Sequence, residues 1–408
     1  MLMKIHSTYI IHQTISSTLT DKNIVLAVTG SIAAIRSVEL ARDLIRHGAR
    51  VRAVMSTGAT NIIHPDALHY ATAQPVITRI TGAVEHVEYC GEKGIADLLL
   101  IAPCTANTIG KIAVGIDDTP VTTFATTAMG SGIQVLIIPA MHGSMYNHQA
   151  VRENIARIKA MGVHFMDPVM EEHAAKIAAN EDIILAVRRM LGDRSLTNKK
   201  VIITGGGTME HIDPIRVLTS RASGLTGAAL ALEAYCKGAD VVLIHPGKWG
   251  LYPITEIEAV SAQDMTRCVM DEISKGCDLF ISSAAISDYT IKPENEKIRS
   301  QQKELSLTFH PTTKLLQKVR DKFPDLPVIG FKAEANVSNE RLHNSANDLL
   351  KKYNLLMVVA NDVGRTGMGT DENTVYILTK FGSEKGPVSG HKNLIARTIL
   401  DMFTEESG

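Results

Sequence analysis

Two glycine turns and a series of hydroxyl and amide side chains carry the first chemical signals in this sequence. Gly205-Gly206-Gly207 follows the apolar run Val201-Ile202-Ile203-Thr204 directly, and a helical pattern opens at Leu225. Glycines at such a turn let backbone N–H groups approach an anion, and the N-terminus of a following helix adds a favourable dipole. Gly30-Ser31-Ile32 repeats the arrangement after residues 23–29 (NIVLAVT). It lacks the GxGxxG spacing of a dinucleotide fingerprint, but a serine hydroxyl at a helix start suits a single phosphate. Pro103-Cys104-Thr105-Ala106-Asn107-Thr108 closes another apolar run, residues 97–102, and Ala140-Met141-His142-Gly143-Ser144-Met145-Tyr146 closes residues 134–139. In open α/β sheets ligands gather at the carboxyl ends of strands, so these loops are candidate binding loops.

The elements that must hold these turns alternate between strand and helix. Residues 23–29, 51–55, 97–102 and 134–139 read as strands in the first half. Residues 201–204, 241–244, 254–260, 278–282, 328–332 and 357–361 read as strands in the second, with helices over 225–237, 262–275 and 338–352. Short apolar runs separated by helical patterns predict mainly parallel sheets. The expected fold class is α/β, with two Rossmann-like parallel-sheet domains in tandem. The expected divisions are an N-terminal extension (1–22), a first domain (23–191), a polar connector (192–199) and a second domain (200–408). A length of 408 residues with 45% hydrophobic content suits two domains, and a net charge of −1 gives no electrostatic argument for nucleic acid. The five cysteines show no metal or redox spacing, and no run is long and apolar enough to span a membrane. A cytoplasmic protein is expected.

A family resemblance rests on several separated blocks. GSIAAIRS, APCTANTIGKIAVGIDD and PAMHGSMY resemble the signature blocks of the flavin-dependent cysteine decarboxylases. Gly205, Gly206, Gly207, Thr208, Glu210, Asp213, Arg216, Ser223, Gly224 and Gly227 resemble the matching positions of the phosphopantothenate–cysteine ligases. The order of the halves is that of the bifunctional coenzyme A biosynthesis family. For the first half the resemblance implies FMN held by Gly30, Ser31, Ile32, Ser56, Thr105, Ala106 and Asn107, with His86 as catalytic base and His142 and Met145 at the substrate. The implied reaction is decarboxylation of 4′-phosphopantothenoylcysteine to 4′-phosphopantetheine with no net redox change.

For the second half the resemblance implies that the carboxylate of 4′-phosphopantothenate attacks the α-phosphate of CTP. Cysteine then displaces CMP from the acyl-cytidylate. Gly205, Gly206, Gly207, Asp213, Arg216, Ser220, Ser283, Ala284, Asp288, Lys297, Thr313, Phe331, Lys351 and Lys352 fall at the implied substrate positions, with Lys297 also catalytic. Mg²⁺ or Mn²⁺ would arrive with the nucleotide phosphates, with Asp288 as a candidate carboxylate. The resemblance also implies a homo-oligomer built from trimeric flavin domains and dimeric ligase domains, in a dodecamer at the largest, and no nucleic-acid or membrane partner.

This chain departs from the family pattern at identifiable positions. His142 stands where the family's PxMN loop has asparagine, a residue associated with gripping the substrate carboxylate; a donor imidazole can do the same. Residues 163–180 (VHFMDPVMEEHAAKIAAN) contain no cysteine where the family carries a lid cysteine, and Glu171, Glu172, His173 and Lys176 are candidate replacements. In the ligase-like half Ser220 replaces an asparagine and Leu225 a lysine, with Arg221 a candidate for the lost charge. These departures motivate two further readings. One is an active ligase fused to a flavoprotein of altered specificity; the other is a catalytically weakened regulatory flavoprotein.

Overall fold

The computed structural model describes residues 6–171, 174–251, 253–299, 304–364 and 368–407. The chain forms two compact units, Met1–Gly192 and Asp193–Gly408.

The first unit is built on a parallel sheet of five strands: β1 (Asn23–Val28), β2 (Arg50–Met55), β3 (Leu98–Cys104), β4 (Gln134–Pro139) and β5 (His164–Phe165), in the order β2-β1-β3-β4-β5. Both faces of the sheet are covered, which explains the unbroken apolar runs in sequence. Ile24, Leu26 and Val28 join one core cluster, while Val25 and Ala27 between them join another on the opposite face. The helix expected after Ile32 forms as a 3₁₀ turn, Ile32–Arg36, continued by the α-helix Ser37–Arg46. The expected extension 1–22 is packed against the unit wherever it is described. Leu19 is fully buried, Thr8 donates its hydroxyl to the Tyr70 carbonyl at 3.0 Å, and the His12 ring meets the Gly48 carbonyl at 3.0 Å. Met141–His142, Val169–Glu171 and Ala174–Lys176 form a small antiparallel sheet beyond the end of β4. Of the lid residues, Glu172 and His173 lie outside the described residues.

The second unit carries an eight-stranded sheet: β6 (Lys200–Thr204), β7 (Asp240–His245), β8 (Thr255–Glu258), β9 (Leu279–Ser282), β10 (Val328–Glu334), β11 (Met357–Asp362), β12 (Glu372–Thr379) and β13 (Glu384–His391). Its order is β8-β7-β6-β9-β10-β11-β12-β13. The first six strands are parallel, as expected, and alternate residues again serve opposite cores: Val201 and Ile203 one cluster, Ile202 the other. The last two add an antiparallel hairpin that the alternation of strand and helix did not foretell. Residues 193–199 are integrated into this unit rather than hanging as a free connector. Leu196 is buried in its core, its N–H donates to the Lys237 carbonyl at 2.9 Å, and Asp193 and Asp401 both pair with the buried Lys237 ammonium. No helix among the described residues is long and apolar enough to cross a membrane.

Candidate functional site

The strand orders predict where ligands should sit. In the first unit β1 lies between β2 and β3, so successive connections leave its two sides in opposite directions. This flavodoxin-like order opens a crevice at the carboxyl ends of β1 and β3. A cleft of about 480 Å³ lies there, a size suited to a cofactor. Gly30, Ser31 and Ile32 from the turn after β1 line it, with Thr105 and Ala106 after β3 and His142 and Met145 after β4. Arg36, Met141 and Ile177 complete its working surface.

Two helix starts aim into this cleft. Ser31 accepts from the Ala33 N–H and caps the 3₁₀ turn, and Thr105 accepts from the Thr108 N–H and caps helix Ala106–Val114. The hydroxyls and the positive ends of these helix starts suit a phosphate, while Ile32, Ala140, Met141 and Met145 offer apolar surface to a planar ring. The lining therefore fits a flavin mononucleotide. Ser56 stands behind the cleft: it caps helix Thr57–Thr60, where Gly58 packs directly against Gly30. Asn107 is exposed on the helix following Thr105 and does not line the cleft. Nor does His86, half-buried on helix Glu85–Cys90, whose Nδ1 has no hydrogen-bond partner among the described residues. Arg36 escaped sequence reasoning because an arginine in a helical stretch gives no local sign of its direction.

The second unit has the order 3-2-1-4-5-6 through its parallel strands, which places its switch point between β6 and β9. The turns leaving these two strands are joined. Gly207 bridges Ala285, the Ala285 N–H donates to the Gly206 carbonyl at 2.8 Å, and the Thr208 N–H donates to the Ala285 carbonyl at 3.2 Å. Ser283 donates its hydroxyl to the Thr204 carbonyl, and Ser220 lies against Gly207. Trp249 covers the turn: a Cβ on Gly224 would meet its ring at 2.3 Å, and the indole stacks on His245 with centroids 3.9 Å apart.

Beside this junction a second cleft of about 480 Å³ is lined by Ala284, Asp288, Thr313, Phe331 and Lys352, together with Lys314 and Lys332. Lys314 pairs with Asp288 and Lys332 with Glu334. The Lys352 ammonium stands over the Tyr353 ring, 5.1 Å from its centroid, with no carboxylate partner among the described residues. Lys351 and Lys297 are exposed and do not line this cleft. No group of three or more His, Cys, Asp or Glu side chains among the described residues is placed to hold a metal ion.

Asp213 and Arg216, expected at a substrate, are instead engaged with their own chain. Asp213 is 1% exposed and accepts from the N–H groups of Ile215, Arg216 and Ile298 at 2.7, 2.8 and 3.1 Å, and from the Arg216 guanidinium. Arg216 also donates to the Ile298 carbonyl at 3.1 Å. The pair thus fastens the segment carrying Lys297 to the strand pair Met209–His211 and Val217–Thr219. Desolvation alone would raise the Asp213 pKa, but the hydrogen bonds outweigh it and hold the group down to about 2. A carboxyl depressed in the folded state stabilises above its unfolded pKa of about 3.9 and loses that contribution as pH falls towards the folded value. Asp213→Asn is therefore expected to lower the melting temperature at neutral pH and to flatten its decline between about pH 4 and pH 2. Thermal scans across that window check both.

Comparison with known proteins follows the same division. Residues 12–192 match the flavoprotein family, and residues 196–406 match the DNA/pantothenate metabolism flavoprotein C-terminal domain. The coenzyme A biosynthesis bifunctional protein CoaBC of Thermococcus kodakarensis is 43% identical over 397 residues, spanning 96% of this chain and 98% of the relative. The CoaBC protein of Methanocaldococcus jannaschii is 39% identical over 401 residues, spanning 97% of this chain and 96% of the relative. That of Bacillus subtilis is 31% identical over 390 residues, spanning 90% and 93%. With both halves matched in this order over nearly the full length, the chain belongs to the family of coenzyme A biosynthesis bifunctional proteins.

Proposed function

We propose that this chain first makes and then decarboxylates 4′-phosphopantothenoylcysteine. The second unit joins 4′-phosphopantothenate to cysteine with CTP, and the first unit removes the cysteine carboxylate with FMN bound. The observation that carries this reading is the presence, in one chain, of two clefts beside sheet switch points, each lined by several of the residues that the two resemblances single out.

In the first unit Gly30, Ser31, Thr105 and Ala106 would hold FMN, with Ile32, Met141 and Met145 against its apolar portion. Bound FMN would supply a reversible two-electron sink for the substrate thiol, so that decarboxylation proceeds without net oxidation. Arg36 and His142 offer donors for the substrate carboxylate. His86 acts as base in this reading, and its position outside the cleft supports a site completed by a second copy of the chain.

In the second unit Lys314, Lys332 and Lys352 offer cations to a triphosphate, and the turn at Thr313 offers N–H groups. The carboxylate of 4′-phosphopantothenate attacks the α-phosphate, pyrophosphate leaves, and the cysteine amine displaces CMP from the resulting acyl-cytidylate. Lys297 assists from the segment that Asp213 holds in place. Mg²⁺ accompanies the nucleotide, because a triphosphate needs more countercharge than lysines give. All five cysteines are free, which supports a reducing cytoplasm.

The test is a mass-resolved assay of the purified protein with 4′-phosphopantothenate, cysteine, CTP and Mg²⁺, without added flavin. Formation of 4′-phosphopantetheine with carbon dioxide release is expected. Accumulation of 4′-phosphopantothenoylcysteine alone would refute the decarboxylase half, and absence of both products with CTP or ATP would refute the ligase half.

A further inference from the structure

Loss of carbon dioxide from an amino acid leaves the bonding pair on the carbon that carried the carboxylate. That carbon must receive a proton before product can depart. We infer that His142 is the catalytic residue that delivers this proton in the first unit's cleft, an inference that rests on the decarboxylase reading above.

The inventory of the cleft supports this assignment. Among the described residues its lining side chains with exchangeable protons are Ser31, Arg36, Thr105 and His142. The Ser31 and Thr105 hydroxyls cap helix starts, and neutral hydroxyls are poor acids at neutral pH. Arg36 is a permanent cation, tied to the Ile177 carbonyl at 3.2 Å and to the Asn180 side-chain oxygen at 3.4 Å. The thiols of this unit, Cys90 and Cys104, are fully buried and line no part of the cleft. Burial pushes the Cys90 thiol up to about 12 and Cys104 further still, so neither releases a proton readily. Among the described side chains that line the cleft this leaves the His142 imidazole, the kind of group whose proton exchange falls in the neutral range.

The backbone fixes the position of His142. Met141–His142 pairs with Ala174–Lys176, with His142 opposite Ala174 and Met141 opposite Ala175. Its ring does not cap the following helix, Gly143–Tyr146, and has no hydrogen-bond partner among the described residues. Beside it stand Arg36 from the 3₁₀ turn and, on the following helix, Tyr146, whose hydroxyl lies 3.5 Å from Asp167.

The step balances by itself. The bond to the carboxylate breaks, carbon dioxide departs, and the electron pair stays with the substrate until it forms the new C–H bond at the α-carbon. A ring N–H of protonated His142 gives its proton to that carbon, and the neutral imidazole regains one from water.

Full-length, FMN-loaded wild type and His142→Asn are compared in two measurements. The first is calorimetric titration with 4′-phosphopantothenoylserine, which keeps the carboxylate and lacks the thiol. The second is the rate of carbon dioxide release from 4′-phosphopantothenoylcysteine across pH. H142N is expected to bind the serine analogue within about threefold of wild type, since an amide retains a donor. Its decarboxylation should fall by about 10²- to 10⁴-fold and lose the decline that wild type shows on the alkaline side. Equal rates of carbon dioxide release from both proteins, with the same alkaline decline, would overturn the assignment of His142. Failure of wild type itself to release carbon dioxide would overturn the decarboxylase reading, and this assignment with it.

Discussion

Replacing Gly30 with alanine is expected to yield a colourless protein whose ligase half remains active. A Cβ at this position would stand 2.9 Å from the Gly58 carbonyl carbon and 3.0 Å from its Cα. Both neighbours are backbone, so no side chain can turn aside. Gly58 in turn belongs to the short helix that Ser56 caps, which limits retreat on that side. Relief must come from the segment Gly30, Ser31, Ile32, whose position forms the cleft. Overpacking of this kind costs about 1–3 kcal/mol, and that amount taken from cofactor binding weakens it by roughly 5- to 150-fold. The visible absorbance of the purified protein and flavin titration of the apoprotein read the loss. CTP-dependent pyrophosphate release should stay within about twofold of wild type, because the Gly30 turn and the second cleft belong to separate compact units. A yellow G30A protein with unchanged flavin affinity would remove Gly30 from the site.

In the second unit the largest single effect is expected from Lys352→Ala. Lys314 and Lys332 each have a carboxylate partner, Asp288 and Glu334, which partly cancels their charge. Lys352 rests over an aromatic ring and keeps its full charge for a ligand. A hydrogen bond to a charged group contributes about 1.5–3 kcal/mol once water is displaced, so the nucleotide KM should rise by roughly 10- to 150-fold. Lys351→Ala, one residue away but outside the cleft, should change KM by less than about twofold. Steady-state pyrophosphate release at varied CTP separates the two variants. Equal effects from both would mean that the helix as a whole, rather than the Lys352 charge, sets affinity.

The parts of the fold that could be read in sequence share one physical cause. Parallel strands covered on both faces become continuous apolar runs, as in residues 201–204 and 98–102, and each run ends where the chain must turn. The binding turns were legible for a related reason. Gly30, Gly205 and Gly206 stand where backbones nearly touch or φ is positive, and hydroxyls at strand ends cap the next helix. What escaped depends on direction rather than type. Asp213 has the composition of a ligand-binding carboxylate, yet its side chain points inward to a set of N–H donors that only the folded loop assembles. Lys351 and Lys352 are chemically identical neighbours, and helical rotation alone decides which one lines the cleft. The β12–β13 hairpin was missed because residues 384–391 (EKGPVSGH) contain one apolar side chain of strand type, Val388.

That same unpromising composition governs what the sheet can do at its rim. A sheet of eight strands has two open margins, each a potential template for another chain to add to. On one margin β8 is four residues long and carries Glu256 and Glu258. On the other, β13 presents Pro387, which has no N–H to offer, between Gly386 and the largely exposed stretch that leads to Gly390. A short margin on one side and a proline on the other both disfavour the addition of a further strand from a neighbouring chain.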